Sequence, residues 1–352
     1  MRNSYLNMIV LYCLYKINGQ RTIYSVLHLL NGKKSAQTIQ DAHLFALKHL
    51  FGCFPRLIRA DLEKTVCDLQ NSRLLQKESD QNFHLTPIGK KELNEFFKEF
   101  PIPQALDGWK YNQLAPLFWS RLSLLIQVIS QLINHDTRYI PIRKERELQQ
   151  WVKAYLLETR LNRIELGKGL YNELLDCLKG IKDGDPSILV LRLSGYQKAG
   201  LTSSQASETL NMDIHAYHVQ FLGMLHYILD VVSAENKKYP LLFRLAAQQN
   251  QWMPLTQSAT KTFALLKQGF QLEEIVRIRR LKKSTIEDHI VEIAINYDGF
   301  DISPFVGEKK QQTIAQAAKT LATKQLKHIR QLVPDAAYFE IRLVLAKEGD
   351  QK

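Results

Sequence analysis

The sequence has no G-x-x-x-x-G-K-[ST] phosphate loop: Leu166-Gly-Lys-Gly-Leu170 lacks both the leading glycine and the Ser/Thr. H-E-x-x-H, G-x-S-x-G and zinc-finger spacings are absent as well. These absences argue against an enzyme and imply no cofactor, no metal and no small-molecule substrate, so any ATP-driven work needs chemistry from another chain. Cysteine is scarce. Cys13, Cys53, Cys67 and Cys177 are scattered with no C-x-x-C, and read as small buried hydrophobes in a reducing compartment. Long apolar runs are missing too. The opening M-R-N-S-Y-L-N-M-I-V-L-Y-C-L-Y ends at Lys16, too short to span a bilayer and without a small-residue cleavage site. It reads as a buried first helix of a cytoplasmic protein with no membrane partner.

What is present is a folded composition with a basic excess. The 352 residues are 45% hydrophobic and 23% charged, with a formal net charge of +12. That length implies two or three domains, and that charge points to a polyanionic partner. The excess lies in local clusters rather than in a tail.

The densest cluster sits in residues 258–301. Thr262, Phe263, Leu265 and Leu266 form one apolar helix face that stops at Gln268-Gly269. A short second helix follows from about Leu272 to Arg279, with Ile275, Val276 and Ile278 inward. After a corner at Arg280-Leu281 comes a third, with Ile286, Ile290 and Ile293 as its core positions and Ser284/Glu287 as an S-x-x-E capping box. Two short helices around so tight a turn predict a helix-turn-helix, whose second helix ordinarily enters a DNA major groove. Arg277, Arg279, Arg280, Lys282 and Lys283 fall within seven residues that contain no acid. Alone such a run is a solvated face; at the start of a recognition helix it predicts phosphate contact, with Ser284, Thr285 and His289 beside it. Glu287, Asp288 and Glu292 are expected on or near the groove-facing side, where they oppose tight reading of bases. Arg280 stands where a left-handed residue is needed, a position that glycine or asparagine usually fills.

In the N-terminal third, helical patterns run from Tyr5, from Thr22 to Leu30, from Ala36 to Leu50 and from Arg59 to Asn71. Leu74–Leu85 has two strand-like ends around a polar middle, and Thr86-Pro87 caps a further helix. Helix, ribbon, then L-T-P-x-G-K-K-E-L is the order of a winged helix. Arg56, Arg59, Lys64, Arg73 and, on the wing, Lys77 are its candidate phosphate contacts. With Asp61, Glu63 and Asp68 on the same helix, a protein-binding or dimerising role is equally consistent.

Phe100–Gly108 is a proline-bearing linker. Helices are predicted at Leu114–Ile133, Arg146–Glu158 and Ile164–Leu178, with breaks at His135–Pro141 and Lys182–Pro186, and Trp109, Trp119 and Trp151 in the core. Residues 198–225 resemble a diverged second helix-turn-helix, offset by 69 from the first. Thr202/Gln205 cap it, and Asn211 is at its corner. No Lys or Arg occurs in 199–230, so this copy is expected to pack or to bind protein. A second boundary is placed at 249–258.

The run Leu281–Ile290, after Gln268-Gly269 and Glu274-Ile275, resembles the helicase helix-turn-helix domain found at the C-termini of many RecQ-type helicases. It also occurs in YpbB-like proteins, which carry the domain without a motor and are encoded beside a RecQ-type helicase. The resemblance continues through Leu321–Arg330 and Tyr338–Ala346. Gln37-Thr-Ile-Gln-Asp41 and Phe51-Gly-Cys-Phe-Pro55 also look like YpbB-like proteins. Arg280 replaces the usual Gly, and Val276 the usual Ala.

The expectation is a mainly α protein with three segments. They are a winged helix (1–100), a helical middle (109–248) with the diverged motif near 198–230, and a helix-turn-helix (258–352) that closes on itself. The resemblance implies an accessory protein of DNA repair and recombination, with DNA backbone and a RecQ-type helicase as partners. The residues also allow a transcriptional regulator, which would prefer one duplex site over random DNA by at least about 10³, or an adaptor without DNA contact.

Overall fold

The structure, a computed structural model, describes residues 4–181, 184–246, 255–321 and 323–348. Most of the expected boundary at 249–258, and part of the break at Lys182–Pro186, lie outside the described residues. The chain is mainly α-helical, with one two-stranded hairpin among the described residues. Internal contacts divide it into a terminal unit (Asn7–Asn94 with Gln251–Lys352) and a middle unit (Met1–Leu6 with Glu95–Asn250). Most of the segments 1–100 and 258–352 thus fall in one unit, and 109–248 in the other.

The terminal unit begins with α1 (Tyr5–Ile17), α2 (Ile23–Leu30), α3 (Ala36–Leu44) and α4 (Arg59–Asn71). Asn18 and Gly19, both at positive φ, end α1. Ser35 caps α3 by accepting from Thr38 N. The helix predicted over Ala36–Leu50 is shorter than expected, because Ala46 turns the chain at φ 53° and a 3₁₀ turn takes Lys48–Leu50. In α4 the predicted Leu62, Val66 and Leu69 are buried. The wing pairs β1 (Leu75–Lys77) antiparallel with β2 (Phe83–Leu85), Leu75 opposite Leu85. Thr86 then caps α5 (Pro87–Glu99), its Oγ1 accepting from Gly89 N at 3.0 Å and donating to Arg73 O at 2.7 Å. Gly89 is obligatory there, since a Cβ would lie 2.2 Å from the Leu74 carbonyl oxygen.

Through the middle unit run α6 (Gly108–Tyr111), α7 (Leu114–Ile133), α8 (Arg146–Glu158), α9 (Arg163–Lys179), α10 (Ser187–Val190), α11 (Ser203–Thr209), α12 (Ile214–Ala234) and α13 (Pro240–Ala246). The core forms around α7 and α12 from Phe118, Leu122, Leu125, Tyr217, Leu225 and Leu229. By length and composition α7 could cross a bilayer, but 56% of it is buried inside the protein. Trp109 and Trp119 are buried as expected, and half-buried Trp151 lies under the Arg121 guanidinium at 4.2 Å. Thr202 and Gln205 make the predicted reciprocal cap on α11. Asn211 turns the α11–α12 corner at φ 52°, nearly the 51° of Arg280 at the aligned position.

The chain re-enters the terminal unit as α14 (Gln257–Lys267), α15 (Leu272–Arg279), α16 (Lys283–Asn296), α17 (Glu308–Leu321), α18 (Leu326–Leu332) and α19 (Tyr338–Glu348). All residues from His289 to Ile295 are buried, so α16 needs cover on every side. It packs against α14, α15, α19 and also α3. That last contact corrects the expectation that 258–352 closes on itself. Polar links fix the arrangement: Arg342 of α19 donates to Gln40 (2.8 Å) and pairs with Asp288 (2.6 Å), and His43 Nε2 meets the Ala346 carbonyl at 2.8 Å. Gln37–Asp41, the sequence's family-like motif, is therefore part of the helix that covers α16.

Candidate nucleic-acid interface

The helix-turn-helix is built at two turns. Gly269 at φ 90° ends α14, and the Gln271 N–H donates to Glu274 Oε2 at 2.8 Å to start α15. Arg280 then takes φ 51°, ψ 41°, the left-handed conformation expected at the corner. Lys282 is extended at φ −64°, ψ 147°, and is itself the N-cap of α16. The predicted Ser284/Glu287 capping box is therefore absent, because Ser284 already lies inside the first turn. No side chain caps α16, and its first turn holds no acid. The first-turn N–H groups point outward along the axis beside exposed Lys282, Lys283 and Ser284 and half-exposed Thr285.

The predicted contacts separate into two groups. Arg277 and Arg280 are exposed with Lys282 and Lys283. Lys283 lies 3.4 Å from Glu273, an exposed pair of small energetic consequence. Arg279 belongs elsewhere: it donates to Ser258 O (3.0 Å), Ser258 Oγ (3.0 Å) and Thr262 Oγ1 (2.8 Å), joining α15 to α14. Thr262 Oγ1 accepts from Arg279 and is also hydrogen-bonded to His289 Nδ1 at 2.9 Å, so the three side chains form one buried chain of hydrogen bonds. His289 is only 7% exposed, and burial with the nearby Arg279 charge holds its pKa below the usual histidine value. Both residues are corrected from phosphate contacts to parts of the interior network, because their side chains turn back onto α14.

The expected acidic opposition is also reduced. Glu292 is 5% exposed and accepts from Thr256 N and Oγ1, and burial raises its pKa. Asp288 is paired with Arg342. Only Glu287 of the three remains beside a groove shared with Glu273 and Lys283. Ile278, expected inward, is 50% exposed, while Ile275 carries the α15 contact to the core.

On the winged helix, Arg56, Lys64 and Arg73 are exposed, and Arg73 sits at φ 59° where α4 passes into the wing. Arg59 lies 4.5 Å from the Tyr24 ring and pairs with Glu63 at 2.7 Å, so its charge is largely met. Lys77 pairs with Asp80 at 3.0 Å. With Asp61 and Asp68 also exposed, this face is electrostatically balanced. Cys13, Cys53 and Cys177 are buried as expected, whereas Cys67 is exposed on α4.

One cation was missed. Lys261 lies on α14 between Ser258 and Thr262, the two residues Arg279 grips, and is exposed. Its signal in sequence is spacing: three residues after Ser258, on a helix whose Gln257–Lys267 span has no acid.

Residues 258–345 match the family described as a helix-turn-helix domain, a class that suggests DNA binding. Over its whole length the chain is 36% identical to Protein YpbB of Bacillus subtilis (strain 168), across 353 aligned positions that include 99% of that protein. No solved structure matches significantly.

Proposed function

The chain belongs to the YpbB family, and from that premise we propose that it is a non-catalytic DNA-binding accessory protein. It holds nucleic acid by the backbone and supplies this grip in trans to a RecQ-type helicase in repair or recombination. The observation that carries the DNA part is the state of α16. From His289 onward the helix is buried, whereas its uncapped first turn is exposed among Lys282, Lys283, Arg277 and Arg280. A helix covered on all sides cannot lie lengthwise in a major groove. It meets DNA end-on, with N–H groups and cations aimed at phosphate and little access to base edges. Weak sequence preference follows, which favours the accessory reading over a sequence-specific regulator.

Binding should therefore be uniform across unrelated sequences. Replacing Arg277, Arg280, Lys282 and Lys283 with Gln should reduce the slope of log K against log[salt] by about 0.7–0.9 per lost contact. An unchanged slope removes this cluster from the interface. For the helicase part, the purified protein is expected to hydrolyse no ATP, to form a complex with the RecQ-type helicase and to improve its unwinding at moderate salt. The four-Gln variant should keep the complex and lose the improvement. Failure to form the complex, with or without DNA, moves the regulator reading to first place.

A further inference from the structure

The middle unit carries a surface that the DNA reading does not use. Along α9, Ile164, Lys168 and Tyr171 recur at helical spacing on one outward face, with Ile164 55% and Tyr171 65% exposed. Beside Tyr171 a groove of about 300 Å³ runs between α9 and α7, walled by Ile126 and Ile133 on one side and Leu170 and Leu174 on the other. At Gly167 a Cβ would lie 2.9 Å from Ile133 Cδ1 and 3.2 Å from Ile129 Cγ2, so the two helices touch there and form the groove's floor. An exposed isoleucine and tyrosine in register beside an apolar groove are the pattern of a helix-docking face.

The charge around it decides the partner's sign. On α9 itself Arg163, Lys168 and Lys179 stand against Glu165, Glu173 and Asp176. The three acids are engaged locally: Glu165 accepts from Asn162 N at 3.0 Å, Glu173 from Leu241 N and Leu242 N at 3.1 and 2.9 Å, and Asp176 pairs with Lys238 at 2.8 Å. Arg160 and Lys168, before and within the stripe, have no ion-pair partner among the described residues. Nucleic acid would use the cations but would leave Ile164, Tyr171 and the groove against water. We propose that this α7–α9 face docks an amphipathic helix of a protein partner, apolar along one side and acidic along its edges. The proposal goes beyond the DNA reading and does not depend on it.

The probe is a fluorescein-labelled helical peptide of about three heptads with Leu at the a and d positions and Glu on both flanks, compared with the same peptide carrying Lys. Polarisation with the full chain should show saturable binding of the Glu peptide, and binding of the Lys peptide weaker by at least about tenfold. Ile164→Glu with Tyr171→Glu should weaken the Glu peptide about tenfold or more with unchanged thermal unfolding. Arg160→Glu with Lys168→Glu should invert the preference toward the Lys peptide, a reversal that general misfolding cannot produce. Equal affinity for both peptides, or no binding of either, overturns the proposal. So does a concentration-dependent dimer abolished by Tyr171→Glu, which assigns the face to a second copy. Loss of DNA affinity in the Arg160/Lys168 variant with peptide binding intact at wild-type strength makes it a second DNA contact instead.

Discussion

Arg279 and Arg280 are neighbours in the basic run, yet their chemistry differs entirely. The guanidinium of Arg279 makes three hydrogen bonds to α14, and through Thr262 it is linked to buried His289. Hydrogen bonds from a charged donor each contribute about 1.5–3 kcal/mol net. Because the three share one half-exposed guanidinium and do not add in full, Arg279→Met should lower unfolding free energy by about 2–3 kcal/mol in urea titration. At temperatures where the variant is folded its salt slope should match wild type; a smaller slope would return Arg279 to the DNA interface. Arg280 is the reverse case. Its left-handed backbone costs about 1 kcal/mol with a Cβ present, and glycine removes that cost while adding unfolded-chain entropy of similar size. Arg280→Gly should thus leave stability within about 1 kcal/mol and reduce the salt slope by about 0.7–0.9. Composition and spacing made the corner and its cations legible. They could not sort Arg279 from Arg280, because that depends on whether a long side chain turns inward to Ser258 or outward, which only the tertiary neighbours decide.

Local signals were enough for most elements. α4 and α7 run as the periodicity and punctuation predicted, and the Thr86 cap and the Asn211 corner have the expected geometry. The misreadings came from elements whose cover lies far away in sequence. Ile278 repeats at helical spacing with Ile275, but α15 is only eight residues long and its buried side is confined to Leu272 and Ile275. In α16 the seven consecutive buried positions signal cover on all sides, yet nothing local says that α3 supplies part of it. That dependence makes a prediction. A fragment of residues 258–352 should lack cooperative thermal unfolding and bind a hydrophobic dye, while co-production with residues 7–94 should restore a single transition. A sharp transition from the fragment alone would show that α3 is dispensable. At the same scale, Arg342→Met removes the Gln40 bond and leaves Asp288 partly buried without its partner, which should cost about 1–3 kcal/mol and raise hydrogen exchange in α19.

Each unit contains a histidine whose pKa burial lowers, and this shapes how the protein responds to acid. In the middle unit His226 is 1% exposed, takes the Asp107 N–H on Nδ1 at 3.0 Å and lies 5.2 Å from the Tyr111 ring; burial lowers its pKa to about 4 against a small opposing effect of Asp230. In the terminal unit burial, assisted by Lys16, lowers His49 to about 4, and His289 is shifted in the same direction. An unfolded histidine binds its proton near 6.5. The unfolded chain therefore holds more protons than the folded one between about 6.5 and 4. Stability from these groups is full above pH 6.5 and is lost as pH falls toward 4, by at most about 3 kcal/mol for each of His49 and His226. Calorimetry from pH 7.5 to 4.5 should show Tm falling steadily once the pH is below about 6.5, with both units affected because each contains such a group. His226→Gln retains an acceptor for Asp107 N and removes the titration, so it should flatten the middle unit's share of that slope while lowering stability at neutral pH. A Tm that stays level between pH 7 and 5, or a His226→Gln slope equal to wild type, would show that these histidines are charged or solvated in the folded protein.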